Sequence, residues 1–399
     1  MIQLLIIVLI FQFLLTKFAT KTKRFSVQAF FQNILFGFFV INFLVRPSIW
    51  ELLCYILIKI AFNVFVIGGG YYFQDYLTTE YLYNDYFPIF VPYVKGCKYF
   101  TEGLHCRLTE KEDKEDKENP STQMEKNQLN KFQWLIKSLE LNSNPNKKKR
   151  VLEIGFGNLG LMTYIRNNCK NVQVEGINIS DSQLKDARQN GFKVYKINYT
   201  ELKNHLELSG QYDAVITNGS LEYLRRYYES HECYRIFCQT VYKLLKPHGK
   251  WYTSTIHYHK TTTLYDKFML YCLAFGNEGG YPSTEKPLSS FASKENFKIL
   301  LDEDHTSDYL EYSSLFGDCY RYEMKNVSQK EKVKMVLKHL VLFIVLPNYL
   351  EMFLCYHPPL MKNNLYWCNA WIWQFIPQHQ HQEYEYYSPM KLNWILCEK

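Results

Sequence analysis

From Val151 onward, apolar and polar positions along the chain alternate in a regular order. Val151–Ile154 is a short β-type run, and Leu159–Asn167 carries helical spacing. Strand-like runs follow at Val172–Ile179, Lys193–Ile197 and Tyr212–Thr217, with a helix at Ser182–Gln189 between the first two. Tyr227–Leu245 predicts a long amphipathic helix stopped by Pro247 and Gly249, and Lys250–Ile256 predicts the next strand. Strands alternating with helices predict an α/β fold with a doubly wound, mostly parallel sheet, in which ligands bind at the carboxyl ends of the strands. Beyond Thr261 the pattern loosens into aromatic, partly helical sequence. Val336–Tyr356 is apolar but interrupted by Lys338, His339, Pro347 and Glu351, so it reads as a buried or membrane-surface helix pair rather than a span.

The first part of the chain is patterned differently. Leu4–Leu15, Ala29–Val45 and Leu52–Ile67 are three apolar stretches, the second close to the length a bilayer core requires. Buried core helices are the competing reading. Lys17, Lys21, Lys23 and Arg24 lie between the first two stretches, which puts that loop on the cytosolic side if the stretches are embedded. A hairpin of the next two would leave the remainder facing the cytosol, at the endoplasmic reticulum in a eukaryote. An aromatic connector runs from Gly68 to Phe100. Thr109–Lys126 is a charged, low-complexity run that reads as a solvated loop or helix extension. Helical spacing resumes over Asn130–Leu141, and Asn142–Arg150 reads as a polar linker. The expected division is an anchor over 1–70, a connector and cap over 71–148, a cofactor-binding core over 149–260 and an acceptor region over 261–399.

Composition narrows the partners. The formal charge of +7 is mild and spread out, which gives nucleic-acid binding little support and suits a weak preference for an anionic membrane surface. The 11 cysteines show no CxxC pairs and no zinc spacing, so no metal site is expected and reduced thiols in a cytosolic domain are the plain reading.

The densest chemical signal is Val151–Gly160, VLEIGFGNLG. Glu153 is followed by Gly155, Gly157 and Gly160 just before a helix, a spacing that lets backbone turn tightly against a ligand at the helix N-terminus. The glycines formally fit a dinucleotide fingerprint, with Glu175 at about the distance of a ribose-binding acid. Three details weigh against NAD. Glu153 sits where a pyrophosphate would pass, Glu175 precedes further apolar alternation instead of ending a strand, and Tyr212–Thr217 leads into the polar loop Asn218–Tyr223. That order resembles class I S-adenosylmethionine (SAM) methyltransferases, which share the Rossmann-like doubly wound sheet. A glycine turn that binds nothing is the third alternative.

Several short stretches, in order, resemble the cyclopropane fatty-acyl-phospholipid synthase and mycolic acid cyclopropane synthase family. Tyr83–Phe87 followed by Cys97–Phe100 is similar to the family's NDFY…SCAYW, and Gln128–Lys131 to its QxxK. Gly176–Gln183 (GINISDSQ) resembles GITLSxEQ, Asn198–Tyr199 stands at DYR, and Gly219–Glu222 at GMFE. Gly279–Ser283 is similar to PGGxLPS and Phe316–Tyr320 to FGxHY. The resemblance implies a SAM-dependent transfer of a methyl or methylene group to a double bond in a membrane-lipid acyl chain. It implies cofactor contacts from Glu153, Gly155, Gly157, Gly160, Asn178, Ser180, Gln183, Asn198, Tyr199 and Gln128. It also implies a bound bicarbonate as base, near Cys97, Glu222 and Tyr320, and is compatible with a homodimer.

Departures from the family pattern keep other outcomes open. Asn198 replaces an aspartate, Asn158 falls inside the glycine loop, and Ser254 stands where many members carry histidine, with His257 and His259 out of register. A sphingolipid, sterol or headgroup methyltransferase shares the cofactor half. A membrane-tethered scaffold without activity is the alternative of another class.

Overall fold

The computed structural model describes residues 50, 99, 101–104, 119–144, 146–221, 224, 232–258, 281–345 and 390–399. The three N-terminal apolar stretches, Cys97 and Glu222 lie outside the described residues, as do residues 109–118 of the charged run. Among the described residues, no helix is long and apolar enough to cross a membrane.

Helix α1 (Pro120–Ser138) begins ten residues earlier than the apolar spacing indicates. Asn119 caps it, its Oδ1 accepting from the backbone N–H of Ser121 at 3.2 Å and of Thr122 at 3.4 Å, and Pro120 occupies the first turn where no N–H is needed. The end of the charged run is therefore a helix extension that contributes Met124 to the core.

The elements that follow are β1 (Lys149–Ile154), α2 (Gly160–Asn168), β2 (Val172–Asn178), α3 (Asp181–Gln189), β3 (Lys193–Lys196) and β4 (Tyr212–Asn218). After them come α4 (Glu232–Leu244), β5 (Leu245–Tyr258), α5 (Leu288–Lys294), β6 (Lys298–Asp304), α6 (Thr306–Lys325), α7 (Gln329–Val345) and β7 (Met390–Glu398). They form a seven-stranded sheet ordered β3-β2-β1-β4-β5-β7-β6. The first five strands in that order are parallel, and β7 runs antiparallel between β5 and β6.

Central strands are covered on both faces, which is why they read as nearly continuous apolar runs. On one face Phe132 and Leu135 of α1 pack with Val151, Ile216, Tyr252 and Trp394. On the other, Phe237 and Val241 of α4 pack with Leu152, Val215, Trp251 and Ile395. Each Leu- or Phe-sized side chain buried this way contributes roughly 1.5–3 kcal/mol. Strand order reverses between β1 and β4, so the carboxyl ends of β2, β1 and β4 open on one crevice, the position where doubly wound sheets take ligands.

Candidate cofactor site and a buried charged network

Strand β1 delivers Glu153 into that crevice. The chain then reverses through Gly155 (φ +79°) and Gly157 (φ +52°), left-handed conformations that side chains disfavour. Gly155 donates its N–H to the Ile177 carbonyl at 2.8 Å, which ties the loop to the end of β2. Leu159 precedes α2 in a left-handed conformation and supplies no side-chain cap, leaving first-turn amides of α2 open to a ligand. Gly160 is required for close packing, since a Cβ there would lie 2.0 Å from the Tyr99 ring. Gly160→Ala is expected to cost about 1–3 kcal/mol of stability through overpacking, read as a lower urea midpoint. An unchanged midpoint would show that Tyr99 yields freely.

The Glu153 carboxylate is buried and its Oε2 has no hydrogen-bond partner. Burial pushes its pKa up to about 8, against a smaller opposing pull from the Lys131 charge. A lone carboxyl under a glycine turn, beside open helix amides, fits a ligand that brings both a positive charge and polar acceptors.

At the end of β2, Asn178 Oδ1 accepts from the N–H of Ile179 (2.8 Å) and Ser180 (3.0 Å), and its Nδ2 donates to Gln183 Oε1 at 2.8 Å. Ser180 caps α3 by accepting from the Gln183 N–H at 3.4 Å. These bonds lock Gln183 with its carboxamide oxygen engaged, so its NH₂ is the end that can serve a ligand. Beyond β3, Asn198 Oδ1 accepts from the N–H (3.1 Å) and hydroxyl (3.0 Å) of Thr200, while Tyr199 packs edge-on against Phe237 at 6.0 Å. The topology thus sets Glu153, Asn178 and Asn198 along one edge, at the ends of adjacent strands.

Glu175 has a different job. It lies inside β2, opposite Leu152 and Lys193, where Arg150 donates to it at 2.8 Å and the hydroxyls of Tyr195 and Tyr212 at 2.8 and 3.2 Å. Burial opposes ionisation there, but Arg150 and the tyrosine bonds hold its carboxyl below the usual range. Its internal position removes the ribose-acid role that a dinucleotide site needs.

Alongside the crevice lies a network that the sequence motifs only touch. Asn218 of β4, Ser254 of β5 and Trp394 of β7 are direct neighbours in register, so their side chains share one face of the sheet. Above them sits the Glu102–Lys131 ion pair, closed at 2.5 Å and buried. All three Lys131 donors are used, by Glu102 Oε1, Thr101 Oγ1 at 2.8 Å and Asn218 Oδ1 at 2.8 Å. Glu102 Oε1 also accepts from Ser254 Oγ and Trp394 Nε1, both at 2.7 Å. Burial alone would raise the Glu102 pKa, but the Lys131 charge and the Lys131 and Ser254 hydrogen bonds bring it below the ordinary value. Burial lowers the Lys131 pKa in spite of Glu102.

Lys131 stands 4.7 Å from the Trp394 ring centroid, and His305 stacks on the same indole at 3.7 Å. Gln128, one helical turn from Lys131, donates to the carbonyls of Tyr99 (2.7 Å) and Thr101 (2.9 Å). It therefore holds Tyr99, whose ring packs on Gly160, and Thr101 in place. Tyr320 is buried on α6, and its hydroxyl donates to Met335 Sδ at 3.7 Å. Glu102, Asn218 and Ser254 were absent from the motif-based site. Two signals pointed to the network: the QxxK spacing, which places Gln128 and Lys131 on a single helix face, and Ser254 at the position where many family members carry histidine.

Residues 82–342 match the mycolic acid cyclopropane synthetase family. No curated protein matches in sequence. Among solved structures, the cyclopropane synthase MmaA2 from Mycobacterium tuberculosis superposes with a TM-score of 0.51 at 12% identity, covering 78% of this chain and 94% of that one. Mycolic acid cyclopropane synthase CmaA1, solved with SAH and CTAB, gives 0.52 at 13% identity over 82% and 100%. Coclaurine N-methyltransferase, bound to N-methylheliamine and SAH, gives 0.52 at 12% identity over 94% and 96%. At such identities the superpositions establish a shared fold.

Proposed function

The chain belongs to the mycolic acid cyclopropane synthetase family, and from that premise we propose that it is a SAM-dependent methyltransferase acting on an unsaturated acyl chain of a membrane lipid. The observation that carries the cofactor half is the unpartnered, buried Glu153 carboxyl beneath a glycine turn. The acceptor half rests on the family match, which extends past the core into α6 and α7.

SAM supplies an electrophilic methyl group on a positively charged sulfur. Glu153 would balance positive charge, the amides around Gly155, Gly157 and Gly160 would take polar atoms of the cofactor, and the Gln183 NH₂ would donate from the β2 side. Asn178 acts through Gln183 by fixing its rotamer, and Ser180 by capping the helix that carries it. Asn198 offers an amide where the family has a carboxylate, so the hydrogen bond it makes is weaker than a charge-assisted one. On the acceptor, one alkene carbon gains the methyl group and its neighbour is left electron-poor. Loss of a proton to a base then closes a ring or leaves a branch. By family resemblance a bicarbonate would supply that base, and Cys97, Glu222 and Tyr320 would hold it, the first two of which lie outside the described residues.

The N-terminal apolar stretches would hold the enzyme at the bilayer with its catalytic part facing the cytosol, which keeps it beside a substrate that does not leave the membrane. Mass spectrometry of lipids from expressing cells is expected to show acyl chains heavier by one methylene, absent from cells carrying Glu222→Gln. Unchanged chains with methylated headgroups would replace the acyl-chain reading by the headgroup one.

A further inference from the structure

Helix α7 turns an apolar stripe outward. Val333, Val336, Leu337 and Leu340 are 58, 55, 57 and 54% exposed, while Met335 on the opposite side is buried. Their i, i+3, i+4, i+7 spacing makes a continuous band about 100° wide along the helix. Lysines border the band on both sides, with Lys330 and Lys334 along one edge and Lys332 along the other. Hydrophobic side chains this exposed cost solubility unless something covers them.

We propose that this face of α7 lies on the surface of an anionic phospholipid bilayer. The pattern fits that occupant in both of its parts. The apolar band matches the depth to which a surface helix sinks into the headgroup–acyl boundary, and lysines at its edges can bury their methylene stems while their ammonium groups reach lipid phosphates. A second copy of this chain would set lysine edges against lysine edges, so charge complementarity favours lipid over self-association. Each lysine near an anionic surface strengthens partitioning about fivefold. The inference rests on the lipid-acceptor reading for its purpose. It adds the surface by which the acceptor-facing part meets the bilayer, separate from any N-terminal anchor.

The test uses the full chain in vesicles of phosphatidylcholine, with and without phosphatidylserine, carrying a small fraction of lipid with a photoreactive diazirine in its acyl chain. Because N-terminal segments can retain the chain on any vesicle, the readout is local: lipid adducts mapped by mass spectrometry to residues 329–340. Adducts on this segment are expected with phosphatidylserine and should fall roughly tenfold or more in Lys330→Glu/Lys334→Glu. Methylation of detergent-dispersed lipid by that variant should stay at the parent level. Equal adduct yield without phosphatidylserine and in the variant would overturn the inference. Absence of adducts while micellar lipid is still methylated would overturn it and leave the lipid-acceptor reading standing. Absence of both would remove the two together. Concentration-dependent dimers in detergent that Val336→Asn/Leu337→Asn dissociates, without adducts on vesicles, would give the face to a second copy instead.

Discussion

Replacing Lys131 by methionine is expected to remove about 3–5 kcal/mol of stability, the range for breaking one side of a buried ion pair. The loss comes less from the missing attraction than from what remains. Glu102 would keep a buried carboxylate, with only Ser254 and Trp394 donating to Oε1, and both Thr101 and Asn218 would lose a donor. Adding Glu102→Gln to Lys131→Met removes the stranded charge, so the double variant should be less damaged than the two single losses summed. Urea unfolding followed by tryptophan fluorescence reads both quantities. A single-variant loss under about 1 kcal/mol would place the pair among weak, water-screened contacts.

Cofactor affinity should rise with pH, and Glu153 should be the reason. In the ligand-free protein burial holds this carboxyl neutral up to about pH 8. A cationic ligand favours the carboxylate, so binding below that pH expels a proton. The dissociation constant for SAM is then expected to fall by up to about tenfold per pH unit between pH 6 and 8, and to level off above. The linkage has a second consequence in the absence of ligand. A carboxyl whose folded pKa exceeds its unfolded value takes up a proton on folding. Its contribution favours the fold below the unfolded pKa and is lost as pH rises toward about 8. Calorimetric titration with SAM in buffers of different ionisation enthalpy counts the expelled proton directly. Glu153→Gln should bind more weakly and with little pH dependence; a pH slope that survives this substitution would assign the proton to another group.

Strands β1 to β4 were legible to within a residue or two, whereas β5 starts at Leu245, five residues before the expected Lys250, and runs through the Pro247 read as a helix stop. Val172–Ile179 and Tyr212–Thr217 are close to the observed β2 and β4, because burial on two sides writes an uninterrupted apolar run into the sequence. Strand β6 is the opposite case. It is an edge strand reading KILLDED with its side chains largely exposed, so no apolar run marks it. Strand β7 pairs with β5 and β6 from 390–398, a partnership that local patterning does not encode.

Site residues divide in the same way. The glycine turn has a local grammar, as does the Asn178–Ser180–Gln183 cap, and both were readable. Glu102 has none: its importance comes from Lys131, Ser254 and Trp394, which reach it only through the tertiary fold. Glu175 shows the converse error that spacing alone invites, since its distance from the glycines suits a ribose acid while its place inside β2 gives it to Arg150.

The bond from Trp394 to Glu102 joins residues 292 positions apart. During synthesis on the ribosome, Glu102 and Lys131 emerge long before the indole that completes their shell, and the outer edge of β5 emerges long before β7. For that interval the growing chain carries a desolvating ion pair and an open strand edge, the features that recruit chaperones or invite aggregation. Slow elongation would lengthen the exposure, so yield in a heterologous host should depend on translation speed between β5 and β7.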